Sequence, residues 1–358
     1  MLSVLKNQLQ GWAIGRFLSE IDDSDEVHIL NRRDADKRLD SLHRLSVLRA
    51  GLFGLISGMF VVFVALWLHE WEGADGWNFY SFFAAIALAG FLSTSLELVF
   101  IYGDSLKTSA RMAKVLGIPD EELQKLDLEE SIPHWLIHAA LGAPGFQGAM
   151  FGIDPLAHIG KLGMQIRKIL KKFRIAASAT LFKSIIRRMW VQLIGRTALR
   201  AFVELVSLPI FVLINVIGMN TMMRDMRSRL VGHELTPSLL EHTFPEGLEN
   251  LSPALHQAIY DGIQEQITSA RFIHPNQIRI LKLIGNPRPK GQPISADEQR
   301  RASRFLLAMF ALSGRLSYRC RRIIRRLEAN LGEKEVSLIE SEIEAAIYDL
   351  EPFNRPWT

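Results

Sequence analysis

The chain has 358 residues, of which 48% are hydrophobic and 22% are charged, and its formal net charge is +4 at pH 7. This length allows one large domain or two modest ones. The single cysteine, Cys320, excludes an internal disulfide framework and a zinc site made of several thiolates, and it is typical of a reducing, cytoplasmic environment.

The first predicted element is an amphipathic helix near the start of the chain, where the continuous apolar stretch of a secretory signal peptide is lacking. Leu2, Leu5, Leu9 and Trp12 recur at intervals of three and four residues, which is the helical period. Such a helix either lies on a membrane or packs against the protein. We expect packing in this cytoplasmic region, residues 1–49.

Two apolar stretches follow, and each is long enough to cross a bilayer as a helix. Residues 50–68 contain no charged residue, and Glu97 is the only charged residue in 79–102. About 20 apolar residues span the roughly 30 Å hydrocarbon core. The loop between them is acidic and lacks Lys and Arg, whereas both flanks are basic. The positive-inside rule therefore places both ends of a transmembrane hairpin, residues 50–102, in the cytoplasm.

Two features of this hairpin concern its packing and its chemistry. Gly54 and Gly58 form a small-residue pair, which lets two helix backbones approach closely, and we expect this pair to pack within the hairpin. Glu97 is a candidate functional residue, because an acid inside a membrane helix is costly. It lies near the end of its helix, and we expect it to reach water there.

A third apolar segment, residues 205–223, contains Pro209 and Asn215 and has arginines on both sides. A helix that spans the membrane here would leave one group of arginines on the wrong side. Proline also removes a backbone hydrogen bond from a helix. We therefore expect a broken helix that dips into the membrane or is buried in protein, rather than a third crossing.

The segment before it is strongly basic. Residues 155–203 contain eleven Lys or Arg and no Asp or Glu, so its helices cannot form the usual ion pairs between neighbouring turns. Each Lys or Arg near an anionic leaflet contributes about 1 kcal/mol of attraction. The alternative is a solvated face that only obeys the positive-inside bias. The residues predicted to contact anionic phospholipids are Lys168, Lys171, Lys172, Arg187 and Arg188.

Between residues 140 and 230 a glycine-rich segment, an Asp-Pro turn, a helix with an arginine and an apolar helix with an asparagine follow one another. In order, these motifs are Gly142-Ala-Pro-Gly-Phe-Gln-Gly148, Gly152-Ile-Asp154-Pro, Ile166-Arg167-Lys-Ile, and Leu208-Pro209 followed by Asn215. The pattern resembles the EcsC family. This resemblance implies that residues 103–235 form a helical, membrane-proximal region without a settled activity.

Residues 236–358 are predicted to form a separate helical domain, with its boundary near the glycine at position 232. Ser295 and Glu298 have the spacing of a capping box. Proline follows a capping residue at three further helix starts. These starts are Thr236-Pro237, Ser252-Pro253 and His274-Pro275.

The stretch Leu312-Ser-Gly-Arg-Leu-Ser317, with the apolar residues that follow it, resembles a repeat of TerB-like helical domains. Ser313 and Arg315 stand where those domains carry acidic residues, which argues against a cation site. The next helix is rich in arginine, a residue common at interface hot spots. Nucleic acid is not expected as its partner, because Tyr318 is the only interleaved aromatic residue. We predict that Arg319, Arg322 and Arg326 contact an acidic protein partner.

Motifs for catalysis are lacking: the sequence has no P-loop, dinucleotide fingerprint or Gly-x-Ser-x-Gly elbow. His134 and His138 are spaced to share a metal on a helix. Trp135, Leu136 and Ile137 lie between them, however, where zinc hydrolases of this spacing carry a glutamate. We therefore predict no catalytic residues, no cofactor and no metal site.

These patterns predict an all-α integral membrane protein of the cell inner membrane, with a two-helix transmembrane hairpin and a cytoplasmic helical bundle. The expected function is that of a scaffold or accessory subunit that contacts proteins and anionic phospholipids, in a larger membrane complex or as a homo-oligomer. The alternative is a hydrolase or transport-associated enzyme carried by the EcsC-like region.

Overall fold

The computed structural model is helical through most of the part that it describes. An isolated backbone bridge joins Met150 and Ile153, and no strand occurs in the described residues. The all-α prediction is therefore confirmed for this part of the chain. The described residues are 2–23, 32–68, 77–123, 132–140, 148–157, 198–285, 293–313 and 320–353.

The α-helices in these ranges are numbered in chain order. They are α1 (Leu2–Asp23), α2 (Arg32–Trp67), α3 (Trp77–Val115), α4 (Asp120–Leu123), α5 (Ile132–Ala140), α6 (Ala198–Thr243), α7 (Pro253–Ala270), α8 (Pro275–Ile284), α9 (Ala296–Leu312), α10 (Arg321–Leu331) and α11 (Glu333–Tyr348).

Contacts divide the chain into two compact units. We call residues 47–101 and 157–219 the apolar unit, and residues 1–46, 102–156 and 220–358 the bundle unit. Helices α2, α3 and α6 each contribute residues to both units.

Helices α2 and α3 contain nearly all of the two predicted apolar runs and are longer than those runs. Arg32–Trp67 and Ala84–Val115 are both long and apolar enough to cross a membrane. Only 22% and 11% of their most apolar windows are buried within the protein. A core helix of a soluble protein is typically mostly buried, whereas these two windows are mostly exposed.

Helix α6 continues without interruption through Pro209, so the predicted break in the third apolar segment is wrong. Proline removes only one backbone donor. An irregular turn in apolar surroundings would leave several backbone groups unsatisfied, which costs more than one missing bond. The apolar residues around Pro209 therefore stay helical.

The same helix also passes through residues 230–235, where the boundary of the tail domain was predicted, and through the predicted start at Thr236-Pro237. Thr236 does not cap a helix there, because its hydroxyl donates to the carbonyl of Gly232 at 2.8 Å. Gly232 is a packing position rather than a linker: a Cβ at this site would overlap the side-chain amide of Asn276. Independent folding of residues 236–358 stays a prediction.

The remaining predicted helix starts are confirmed. Ser252 accepts a hydrogen bond from the Leu255 amide at the start of α7, with Pro253 in the first turn. His274 begins α8 with a capping box to Gln277. Ser295 and Glu298 form the predicted capping box at the start of α9. Helix α9 then packs against α7, α10 and α11 in the centre of the tail.

Helix α1 packs against the protein through its second half, although Trp12 of the predicted apolar face is exposed. Ala13, Phe17 and Ile21 are buried. The buried carboxylate of Glu20 forms ion pairs with Lys107 at 3.1 Å and Arg111 at 2.6 Å. These pairs fasten α1 to the part of α3 that belongs to the bundle unit.

Candidate functional site

Among the described residues of the apolar unit, most buried side chains are small and most large apolar side chains are exposed. This arrangement is typical of membrane helices, since small residues let helix backbones approach and lipid accepts the large ones. Gly54 and Gly58 are both buried, and their packing within the hairpin stays a prediction. Small residues buried on α2 and α3 are Gly51, Gly54, Gly58, Ala65, Ala89 and Ser93. Large residues exposed there include Leu52, Ile56, Met59, Phe60, Phe63, Leu66, Leu88, Phe91, Leu92, Leu96, Val99 and Phe100.

Polar bonds fasten the helices of the apolar unit to one another. The hydroxyls of Ser57 and Ser93 are 2.8 Å apart and join α2 to α3. The Asn215 amide of α6 donates to the Glu97 carboxylate and, at 3.4 Å, to the Ala50 carbonyl. Glu97 is thus half-buried and bonded to a third helix, an arrangement that the sequence alone did not predict.

These bonds lie about one membrane thickness from the aromatic end of the hairpin. Arg49 and Trp67 are 18 positions apart in α2, about 27 Å along a helix. Trp77 and Glu97 are 20 positions apart in α3, about 30 Å along a helix. Both distances match the roughly 30 Å hydrocarbon core, with tryptophan at one end and ionisable groups at the other.

A buried arginine joins three helices of the bundle unit. The Arg227 side chain is 1% exposed and pairs with Asp40 at 2.7 Å and Asp36 at 2.5 Å on α2. It also donates to the carbonyl oxygens of Ile347 at 2.9 Å and Tyr348 at 2.5 Å, at the end of α11. The guanidinium therefore has both the opposite charges and the hydrogen-bond acceptors that a buried charge requires.

Sequence reasoning missed this arginine. Asp36 and Asp40 are four residues apart, so they lie on one face of α2 and mark where a cation must bind. The position of that cation, nearly two hundred residues later, has no counterpart in local spacing.

A cleft of about 660 Å³ opens in the bundle unit between the ends of α2 and α3, the last turns of α6 and the segment after α11. This volume lies within the range of small-molecule sites. Apolar residues form much of its wall, and the charged residues that line it include Arg32, Lys114, Glu234, Glu241 and Glu351.

Two titratable groups in the cleft have pKa values below their ordinary ones. A hydrogen bond with His233 lowers the pKa of Glu234. Burial lowers the pKa of His242, whose ring packs 5.1 Å from the ring of Phe353. The cleft therefore holds a carboxylate and an imidazole that is neutral at physiological pH, the forms suited to accept a proton.

A buried amide network joins α6, α8 and α9 near this cleft wall. The Asn276 amide donates to the carbonyl oxygens of Ser228 at 3.2 Å and Leu312 at 3.0 Å. Burial lowers the pKa of the adjacent His274 well below its ordinary value. These bonds explain why Gly232, beside Asn276, cannot carry a larger side chain.

The predicted partner-binding residues lie partly within the described residues. Arg322 and Arg326 are exposed on the outer face of α10, and Arg326 pairs with Glu265 at 2.5 Å. Arg319 lies outside the described residues. So do the predicted lipid contacts Lys168, Lys171, Lys172, Arg187 and Arg188.

Two observations on the described residues concern metal-binding and thiol chemistry. No group of three or more His, Cys, Asp or Glu side chains that could hold a metal ion occurs among the described residues. Cys320 is buried at the start of α10, which removes it from solvent-borne reagents.

Comparison with protein-family models finds no match, and comparisons with curated proteins and with solved structures find no significant one. The EcsC-like and TerB-like resemblances therefore stay predictions.

Proposed function

We propose that this protein is a membrane-anchored scaffold or accessory subunit of the cell inner membrane, with α2 and α3 as its transmembrane hairpin and most of the chain in the cytoplasm. The proposal rests on the packing of the apolar unit, in which most buried side chains are small and most large apolar side chains are exposed. A contiguous apolar surface of this size marks a membrane or partner contact. The buried small residues leave the large exposed ones for lipid.

A labelling experiment tests the anchor and its orientation. Cysteine replaces Ala74 in the loop or Ser337 on α11, both in a Cys320→Ala background. A membrane-impermeant maleimide should label position 74 in intact cells and position 337 only after permeabilisation. Equal labelling of both positions, or the reverse pattern, would contradict the proposed hairpin.

The acid-free segment supports contact with anionic phospholipids. In the proposal, Lys168, Lys171, Lys172, Arg187 and Arg188 bind lipid headgroups. Changing all five to Gln should reduce the anionic lipid that co-purifies with the full-length protein, and raised salt should do the same to wild type. Neutralising Arg33, Lys37 and Arg38, which are exposed on α2, provides a control that removes three positive charges elsewhere on the protein. Equal lipid loss in both variants would contradict this assignment.

The exposed arginines of α10 support the partner-binding role. Purification in mild detergent should recover a partner chain with wild type and with Arg33→Glu/Arg38→Glu. The Arg322→Glu/Arg326→Glu variant should lose that chain. Recovery of the same partner with all three forms would remove these arginines from the proposed interface.

The cleft supports a second candidate, an acyl hydrolase. Ser238 and His242 are four residues apart on α6 and both line the cleft, and Glu342 lies 3.9 Å from His242 Nε2. Serine, histidine and glutamate are the residue types of hydrolase triads. A fluorophosphonate probe should label wild type and not Ser238→Ala. Without labelling of wild type, the scaffold proposal stands alone.

A further inference from the structure

The outer face of α10 is made almost entirely of arginine. Its apolar residues Ile323, Ile324 and Leu327 are buried in the bundle unit. The opposite face carries four exposed arginines within six positions. They are Arg321, Arg322, Arg325 and Arg326, and we call them the arginine face.

This arrangement is unfavourable without a partner. Like charges three or four residues apart on a helix repel, as for Arg321 with Arg325 and Arg322 with Arg326. Within the described part of the chain, Arg322 and Arg325 have no acidic partner. Other arginines of the tail do: Arg300 and Arg304 both pair with Glu335 on α11. Arg326 already pairs with Glu265, so Arg322 and Arg325 are the members of the arginine face that can bind negative charge from outside this unit.

The next helix carries the complementary pattern. Glu333, Glu340 and Glu344 are exposed on α11 at intervals of seven and four residues, so they lie along one face of that helix. We call them the acidic stripe. Glu340 has no basic partner among the described residues, and Glu344 reaches Arg224 only at 4.0 Å. Only Gly332 separates α10 from α11, and the two helices are in contact.

We propose that the arginine face of one copy of this protein docks on the acidic stripe of a second copy. The proposal rests on the partner-binding role of Arg322 and Arg326 under the proposed function and names the partner. An anionic leaflet fits less well, because the acidic stripe lies on the adjacent helix, within about one Debye length of roughly 8–10 Å, and would be repelled. A second copy offers both charges in the required pattern.

The contact should depend on the membrane. Exposed ion pairs are individually weak and are screened by salt. Anchored copies, however, meet at a high local concentration, which raises the occupancy of a weak contact. When each copy supplies both faces, the two contacts are reciprocal and close a dimer.

Charge reversal provides the test, in full-length protein and native membranes. Two tagged copies carry Cys320→Ala with Ala329→Cys at the centre of the arginine face or Ser337→Cys within the acidic stripe. Oxidation should join the two tags in wild type. Arg322→Glu/Arg325→Glu alone and Glu340→Arg/Glu344→Arg alone should each reduce this disulfide about tenfold, because like charges then face each other.

Co-expression of the two reversed variants should restore the disulfide, since both contacts regain opposite charges. Arg33→Glu/Arg38→Glu, with the same change in net charge, should leave it unchanged. A disulfide that ignores reversal, or one that co-expression does not restore, would overturn the proposal. The disulfide test can fail while position 74 still labels from outside and Arg322→Glu/Arg326→Glu loses a different partner chain. In that case the proposed function survives and self-association does not.

Discussion

The two units of this protein solve the same packing problem in opposite ways. In the bundle unit, large apolar residues such as Phe244 and Phe305 are inside and charges are mostly outside. In the apolar unit, most buried residues are glycine, alanine or serine, and most phenylalanines and leucines are at least partly exposed. Water drives large apolar residues inward, as in the bundle unit, and the opposite pattern in the apolar unit is the one expected of helices in lipid.

The units also differ in how they use buried polar groups. Arg227 in the bundle unit is paired with two carboxylates and two carbonyl oxygens. Asn215 in the apolar unit makes bonds to one carboxylate and one carbonyl oxygen. We therefore expect polar substitutions to cost more in the bundle unit, and the four predictions below run from the largest expected effect to the smallest.

Arg227→Met should cause the largest loss. The change leaves Asp36 and Asp40 without their shared cation, and breaking a buried pair typically costs about 3–5 kcal/mol. For a unit of this size, the thermal unfolding midpoint should fall by about 10 °C, measured by circular dichroism of purified protein. Arg38→Met, at an exposed position on α2, should change it little. Equal midpoints for the two variants would show that Arg227 does not fasten the helices.

Gly232→Ala should cause the next largest loss. A Cβ at this position overlaps Asn276 and lies 3.1 Å from Leu312 Cγ, so α6 must shift away from α8 and α9. Such overpacking costs about 1–3 kcal/mol. Gly15→Ala on α1 is the matched control, because nothing lies within 4 Å of its added Cβ. Thermal unfolding should show a loss at Gly232 and a small gain at Gly15. If both variants were more stable than wild type, Gly232 would not be a close-packed position.

Local patterns predicted much of the fold. Charge-free runs predicted the apolar parts of α2 and α3 but not their full lengths, and Ser295 with Glu298 predicted the start of α9. Pro209 and Pro237 misled the prediction, because the tendency of proline to end a helix was outweighed by packing along α6. Contacts such as Arg227 with Asp36 join residues 191 positions apart, and no local spacing encodes them.

A drop in pH should destabilise the bundle unit more modestly. Burial holds the pKa of His274 well below 6.5, so the folded protein binds fewer protons than the unfolded chain as pH falls below that value. This contribution to stability is therefore fully present well above pH 6.5 and is lost as the pH falls through and below that value.

His274→Asn keeps a side chain that can cap α8 and removes this titration. The decline should therefore shrink in the variant, although His43 and His242, whose pKa values burial also lowers, should leave part of it. The readout is the midpoint of chemical unfolding at each pH. An undiminished decline in the variant would assign the whole effect to the other histidines.

Asn215→Leu should have the smallest effect, because hydrogen bonds between membrane helices average only about 0.6 kcal/mol. The change removes the bonds to Glu97 and Ala50 and leaves Val212 and Val216 packed against Gly51. We expect faster amide hydrogen exchange in residues 212–219 with little change in the unfolding midpoint. In Glu97→Gln, the side-chain oxygen can still accept a hydrogen bond from Asn215, so amide hydrogen exchange should match that of wild type. If Asn215→Leu lowered the unfolding midpoint as much as Arg227→Met does, the apolar unit would depend on buried polar bonds as strongly as the bundle unit.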